Sequence, residues 1–227
     1  MTNNNNEIKC LIAGAGDHAR VLIDVIKSQR LPEFQNWEIV ALTDLGPELH
    51  GKSVMDVPVV GNDEELPKLL EQGIGHALVG IGLIQGTAGR TIMFDKLTEM
   101  GFAFPIVIHP SARISSNVEI DVGSVILTGA IVGTGCRIGK NVIVNIGASV
   151  SHDCTVADNA VISDGACIAG GVKLGKAVLV GAGATILPYV SIGEGATVAG
   201  GGGVHKDVCP GVSVVGAPER HLAPRPN

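Results

Sequence analysis

From Ile108 onward an aliphatic residue returns at every sixth position. The series runs through Ile114, Ile120, Ile126, Val132, Ile138, Val144, Val150, Val156, Ile162, Ile168, Leu174, Val180, Ile186, Ile192 and Val198, and all sixteen positions are Ile, Val or Leu. Four residues after each comes a mostly small one, such as Ala112, Ser124, Ala130, Cys136, Ala148, Cys154, Ala160, Ala166 and Ala184. Sixteen unbroken positions set aside the alternative of ordinary alternating strands with coincidental spacing. The period of six predicts a parallel β-helix, in which each hexad makes a short strand and a turn, and three hexads close a triangular coil of 18 residues. The branched residue fills the narrow interior and the small one lets the strands approach.

The pattern before residue 105 is different. "IKCLIAGAGDHARVLIDVIKSQ" reads as a buried strand, a glycine-rich turn and an amphipathic helix with apolar residues at 21, 22, 25 and 26. "WEIVALTD" predicts a second strand ending in Asp44, and "NDEELPKLLEQG" a helix capped by Asn62 or Asp63. "HALVGIG" is a third strand, "TAGRTIMFDKLTEMG" a third helix, and "FAFPIVI" leads into the repeat. Alternating strand and helix implies a small Rossmann-like parallel sheet. The expected organisation is therefore an α/β domain over 1–105 and a β-helix over 106–227. The aromatics support the division. Phe34, Trp37, Phe94, Phe102 and Phe104 all precede residue 105, and only Tyr189 follows it.

Composition narrows the function classes. The 227 residues carry a net charge of −6 with no basic run, which argues against nucleic acid as a partner. No stretch is apolar over the ~18 residues that a membrane span requires, and the start "MTNNNNEIKC" lacks a signal-peptide pattern. Five cysteines, at 10, 136, 154, 167 and 209, form no C-x-x-C and suit free thiols in a reducing cytoplasm.

Two short stretches carry candidate chemistry. Gly14-Ala15-Gly16-Asp17-His18-Ala19 follows a strand and opens a helix, so it offers backbone N–H groups and a helix N-terminus to a phosphate. Asp44 closes the next strand, where a ribose or base contact would lie. About 100 residues hold only one mononucleotide-binding half, which fits a nucleotide diphosphate better than NAD. A turn tightened only for packing is the plainer alternative. The second stretch is "NIGASVSHDC", residues 145–154. Val150 and Cys154 fall on inward positions of the repeat. His152 falls on a position filled elsewhere by Thr128, Lys140, Asp158, Asp164 and Lys176, so it points to water. Burial disfavours Cys154 as a nucleophile. The other histidines show no ligand spacing, so no metal is expected. A surface histidine or a general base remains, and Asp153 could hold the ring in one tautomer. The coil length stacks Gly170 one rung above His152, ~4.8 Å away. A side chain there would crowd a group approaching His152, and the Gly170 N–H is a candidate oxyanion donor, with a glycine that simply serves a tight corner turn as the plainer alternative.

"LIAGAGDHARVLIDVI", "IHPSARIS", the hexads, "NIGASVSHDC" and "VVGAPER" together resemble the hexapeptide-repeat sugar acetyltransferases of the sialic-acid O-acetyltransferase-like group. That group includes bacterial N-acetyltransferases of nucleotide-linked 4-amino-4,6-dideoxy sugars. The resemblance implies a homotrimer of left-handed β-helices with acetyl-CoA in the groove between neighbours and a nucleotide-linked amino sugar on the N-terminal domain. It implies His152 as general base, Asp153 as its acidic companion and Asn145 near the reacting centre. It implies Gly170 facing the thioester oxygen, Ala182 and Gly200 contacting the pantetheine, and His18 and Asp44, beside the Gly14–Gly16 turn, contacting the nucleotide sugar. The chain departs from the pattern at two places. Val161 stands where a second histidine is usual, and the 82–90 stretch is about three residues longer than the commoner Ile-Gly-Asp/Asn-Asn turn.

Three alternatives stand beside this reading. O-acetylation of a sialic-acid-like sugar is the nearest. A non-catalytic β-helix scaffold or sugar sensor would leave His152 idle. A nucleotidyltransferase subunit would bring a longer N-terminal domain and a basic glycine loop, whereas this loop carries Asp17.

Overall fold

The computed structural model describes residues 8–28, 37–82 and 86–216. Phe34, residues 83–85 of the long 82–90 stretch and the end of "VVGAPER" lie outside the described residues.

The N-terminal sheet is built from β1 (Ile8–Ala13), β2 (Trp37–Thr43), β3 (Ser53–Val54), β4 (Val57–Gly61) and β5 (His76–Val79), in the order β3-β4-β2-β1-β5. β4, β2, β1 and β5 run parallel, and the short edge strand β3 pairs antiparallel with β4, so the sheet is mixed. The sequence signal for β4 is the alternation of buried Val57, Val59 and Gly61 with exposed Pro58 and Val60. Pro58 cannot donate to a ladder, and a proline in a run argues against a central strand. Helix α1 (Asp17–Ser28) follows β1. Its Ala19, Leu22, Val25 and Ile26 join Ile12 and Leu42 in one apolar layer. Asn62 caps the next helical segment, its Oδ1 accepting from Glu64 N at 2.9 Å. That segment starts as a tight turn over Asp63–Glu65 and continues as α2 (Leu66–Glu71). Helix α3 (Ala88–Glu99) packs Met93, Phe94 and Leu97 against the other face with Phe102 and Phe104.

The repeat folds as the sequence requires, into a left-handed parallel β-helix. Two-residue strands recur at every hexad and stack 18 residues apart, Ser149–Val150 on Cys167–Ile168 and Thr155–Val156 on Lys173–Leu174. Three faces result. The first carries strands such as Ile143–Val144, the second Ser149–Val150, the third Thr155–Val156. From Ile126 to Val198 every hexad aliphatic is buried, and Val204 extends the series by one step. Each turn also has a position of positive φ, every six residues from Gly123 to Gly201, fourteen in all. Nine are Gly, and the others are Asn141, Asp153, Asn159, Ala177 and Tyr189. A residue with a Cβ pays roughly 1–2 kcal/mol for this left-handed conformation, which is why glycine fills most of the column.

The two halves pack directly. Outward-facing Val107 and Val125 of the first face are fully buried with the residues of α1. Val161, in register between Ile143 and Leu179 on that same face, is also fully buried. Arg90 of α3 is 2% exposed and ties the halves together. Its guanidinium donates to Val79 O at 2.9 Å, to Ile81 O at 3.1 Å and to Asn141 Oδ1 of the coil at 2.8 Å. All three acceptors are neutral, and burial lowers its pKa to about 10. Arginine remains charged there, and leaving such a group unpaired would cost several kcal/mol, so the clamp fixes one geometry between the domains.

Candidate active site

His152 and Asp153 occupy the corner between the second and third faces, and both side chains are exposed. His152 Nδ1 lies 2.9 Å from Asp153 Oδ2. A carboxylate only accepts, so a neutral imidazole must carry its proton on Nδ1 and leave Nε2 with a free lone pair. Asp153 takes one of the left-handed corner positions, φ 57°. Gly135, one rung below, leaves space into which its Oδ1 leans.

Gly170 stands one rung above. A Cβ there would lie 2.5 Å from His152 Nε2 and 2.6 Å from Cε1. The space that this glycine leaves is thus filled by the imidazole itself, rather than reserved for a group approaching it. The Gly170 N–H donates to no acceptor among the described residues, and neither do those of Ala182 and Gly200, at the same position of their hexads. This follows from the coil, because the second residue after each buried aliphatic turns its N–H out of the ladder. At Lys140 and Ile146 the side chains of Asp158 and Asn145 fill the gap. Cys154 is 1% exposed and burial pushes its pKa up to about 11, so at neutral pH it is a thiol and no nucleophile. Cys10, Cys136, Cys167 and Cys209 are likewise free.

The remaining residues gather elsewhere. Gly14 has φ 102°, and a Cβ on it would come within 3.0 Å of the Gly80–Ile81 backbone, so tight packing accounts for this glycine. Gly16 is different, since a Cβ there would meet nothing within 4 Å. Its missing side chain opens the turn to solvent or ligand. β1 lies between β2 and β5, which makes its carboxyl end the point where strand order reverses, and ligands of open α/β sheets bind in that crevice. A cleft of about 460 Å³ lies beside the glycine turn on its β2–β3 side, lined by Gly16, Asp17, Arg20, Leu49 and Val54 among others. Asp44 has a definite local task. Its Oδ2 accepts from Ala15 N at 2.7 Å and its Oδ1 from Gly46 N at 2.8 Å, so it tethers the glycine turn to the end of β2.

On the other side of α1 a cleft of about 280 Å³ runs between the two halves, lined by His18, Gly82, Ile143, Asn145 and Asp164 among others. Asn145 Nδ2 donates to Asp164 Oδ2 at 3.1 Å. His18 Nε2 is buried without a hydrogen-bond partner among the described residues. Desolvation, helped by the nearby Arg90 charge, lowers its pKa to about 3, so the ring is neutral. Asn145, Ala182 and Gly200 share the corner between the first and second faces, whereas His152, Asp153 and Gly170 share the next one. One chain therefore presents two separate groups, with a strand of the second face between them.

Among the described residues, no group of three or more His, Cys, Asp or Glu side chains gathers as metal ligands, and no helix is long and apolar enough to cross a membrane. Sequence reasoning missed Arg90, whose only signal is a cation in an otherwise apolar helix face, and it did not anticipate the burial of Val161.

Residues 9–86 match the PglD N-terminal domain family. Comparison with curated protein sequences returns no match. Solved structures cover nearly the whole chain. A His→Asn variant of perosamine N-acetyltransferase from Caulobacter crescentus, in complex with CoA and GDP-perosamine, is 31% identical with a TM-score of 0.84, over 95% of this chain and 97% of that one. The acetyltransferase domain of PglB from Neisseria gonorrhoeae FA1090 is 28% identical with a TM-score of 0.83, over 95% of this chain and 100% of that one. WeeI from Acinetobacter baumannii AYE is 25% identical with a TM-score of 0.77, over 94% of this chain and 99% of that one. The hexad coil, the glycine-turn domain packed on its first face and this end-to-end likeness lead to one conclusion: the chain belongs to the hexapeptide-repeat sugar acetyltransferases, an acetyl-CoA-dependent family of N-acetyltransferases.

Proposed function

We propose that this chain transfers the acetyl group of acetyl-CoA to the amino group of a nucleotide-linked 4-amino-4,6-dideoxy sugar. The observation that carries the reading is the exposed His152–Asp153 pair, whose free Nε2 lies over Gly170, a residue whose N–H has no acceptor among the described residues. The perosamine enzyme, crystallised with CoA and GDP-perosamine, supports the choice of both substrates. The residues present fit the acyl donor, because the outward N–H groups of Gly170, Ala182 and Gly200 suit a chain of amide and carbonyl oxygens. Bound there, the thioester supplies an activated acyl carbon and a thiol leaving group.

His152 Nε2 takes a proton from the sugar amine as the nitrogen bonds to the acyl carbon. The Gly170 N–H donates to the oxygen on which negative charge builds. When the C–S bond breaks, His152 returns its proton to the departing sulfur, which leaves amide and CoA thiol. Asp153 fixes the ring throughout and stabilises the imidazolium. Gly16, Asp17, Arg20 and the N-terminus of α1 hold the diphosphate, Asp44 keeps the turn in place, and the His18–Asn145 cleft takes the sugar. Screening acetyl-CoA turnover against UDP-, GDP- and dTDP-linked amino sugars, with free sialic acid as contrast, tests this reading. Turnover of sialic acid alone would favour O-acetylation, and no acyl transfer with any acceptor would favour a non-catalytic scaffold.

The division of the site between two corners supports a further point. A ring of chains sets the His152 corner of one against the Asn145–Ala182–Gly200 corner of the next, and a closed three-fold ring completes three such sites. The expected state in solution is therefore a trimer, measured by light scattering. A monomer with full activity would refute the shared site.

A further inference from the structure

Two adjacent glycines on the catalytic corner are each covered by a ring, and the rings come from opposite directions. The His152 imidazole rises from the rung below and covers Gly170. A Cβ on Gly171 would collide with Cδ1 and Cε1 of Tyr189, which stands one rung above, so the phenol ring descends over Gly171. The Gly170–Gly171 peptide forms the floor between them. Tyr189 N also donates to Gly170 O at 3.0 Å, which fixes the upper ring's backbone to that floor.

Within one chain the core gains little from a tyrosine at this place. Tyr189 is 76% exposed, so its ring adds little to the core, and Leu187 on the same corner is 46% exposed. Its backbone takes the left-handed corner conformation at φ 63°, where the other thirteen positions hold Gly, Asn, Asp or Ala. A bulky side chain is poorly suited to that region, and strain of this kind persists where function requires the side chain. Tyr189 is also the only aromatic residue after Phe104.

We propose that Tyr189 is the wall of the acyl slot and restricts the donor to short acyl groups. The proposal rests on the reading that the thioester oxygen lies at the Gly170 N–H. The acceptor amine must then approach from the side of His152, which leaves the acyl substituent on the side of Gly171 and Tyr189. Acetyl ends in a methyl group and fits between the rings, while each further methylene runs into the phenol ring. Apolar walls discriminate single methylenes by roughly 10-fold or more.

The test compares acetyl-, propionyl- and butyryl-CoA with the wild type, Tyr189→Phe and Tyr189→Gly. The wild type and Tyr189→Phe should prefer acetyl-CoA alike, because the ring and not the hydroxyl forms the wall. Tyr189→Gly should raise the ratio of kcat/KM for butyryl-CoA to that for acetyl-CoA by ~10-fold or more. Its KM for the nucleotide sugar should stay unchanged, and its melting temperature unchanged or raised, since glycine relieves the left-handed backbone. A wild type that transfers acetyl, beside a Tyr189→Gly variant of unaltered donor preference, overturns the assignment alone. A wild type with no acetyl transfer overturns the functional reading and the assignment with it. A Tyr189→Gly variant that no longer assembles, by light scattering, would place the ring in the subunit contact and overturn the slot.

Discussion

His152→Ala should lower kcat by roughly 10²-fold or more, the loss expected when a positioned general base is removed. Binding of acetyl-CoA should persist, because the side chain is 55% exposed and the hexad residue Val150, not His152, holds the corner. Initial rates against calorimetric titration with CoA separate the two effects. Asp153→Asn should cost less. It keeps an acceptor near Nδ1 but removes the charge that stabilises the imidazolium, and an amide turned to present its NH2 to Nδ1 selects the other tautomer. Near-normal turnover in His152→Ala would make His152 an ordinary surface residue and transfer the base to another group.

The direction of His152 was legible because a six-residue ruler runs through it. Val150 and Cys154 are buried on either side, so the side chain between them can only face out. The same ruler placed Gly170 beside His152, through an 18-residue coil that the strand register bears out. It did not show that the imidazole itself fills the space above, since rotamers lie beyond any periodicity. A second ruler was present and unread. Glycines at 123, 129, 135, 147, 165, 171, 183, 195 and 201 mark the left-handed corners, and Tyr189 interrupts that column. The N-terminal half has no such ruler. Asp44 could be marked as a strand end, but no pattern shows that its two oxygens also accept from the Ala15 and Gly46 backbone N–H groups. Arg90 was invisible for a related reason. Its acceptors are two carbonyls at the end of β5 and an asparagine 51 positions away, a convergence that only the packing of the two halves creates.

Gly170→Pro should lower kcat by ~10²–10³, as the loss of an oxyanion donor does. The fold should tolerate it. Pro188 occupies the same corner position one rung higher, and the Gly170 N–H donates to no acceptor in the ladder. The single variant does not isolate the donor, because any side chain at 170 collides with the His152 ring, and Gly170→Ala will also displace the base. A double-mutant cycle removes that steric route. In a His152→Ala background the space above Gly170 is open, so adding Gly170→Ala should change residual transfer little. Adding Gly170→Pro should lower it by a further ~10²-fold, since only proline deletes the N–H. Solution mass and melting temperature, measured alongside and compared with the unmutated protein, exclude misfolding as the cause. If alanine and proline behave alike in that background, the oxyanion is held elsewhere, and the thioester cannot lie between His152 and Gly171.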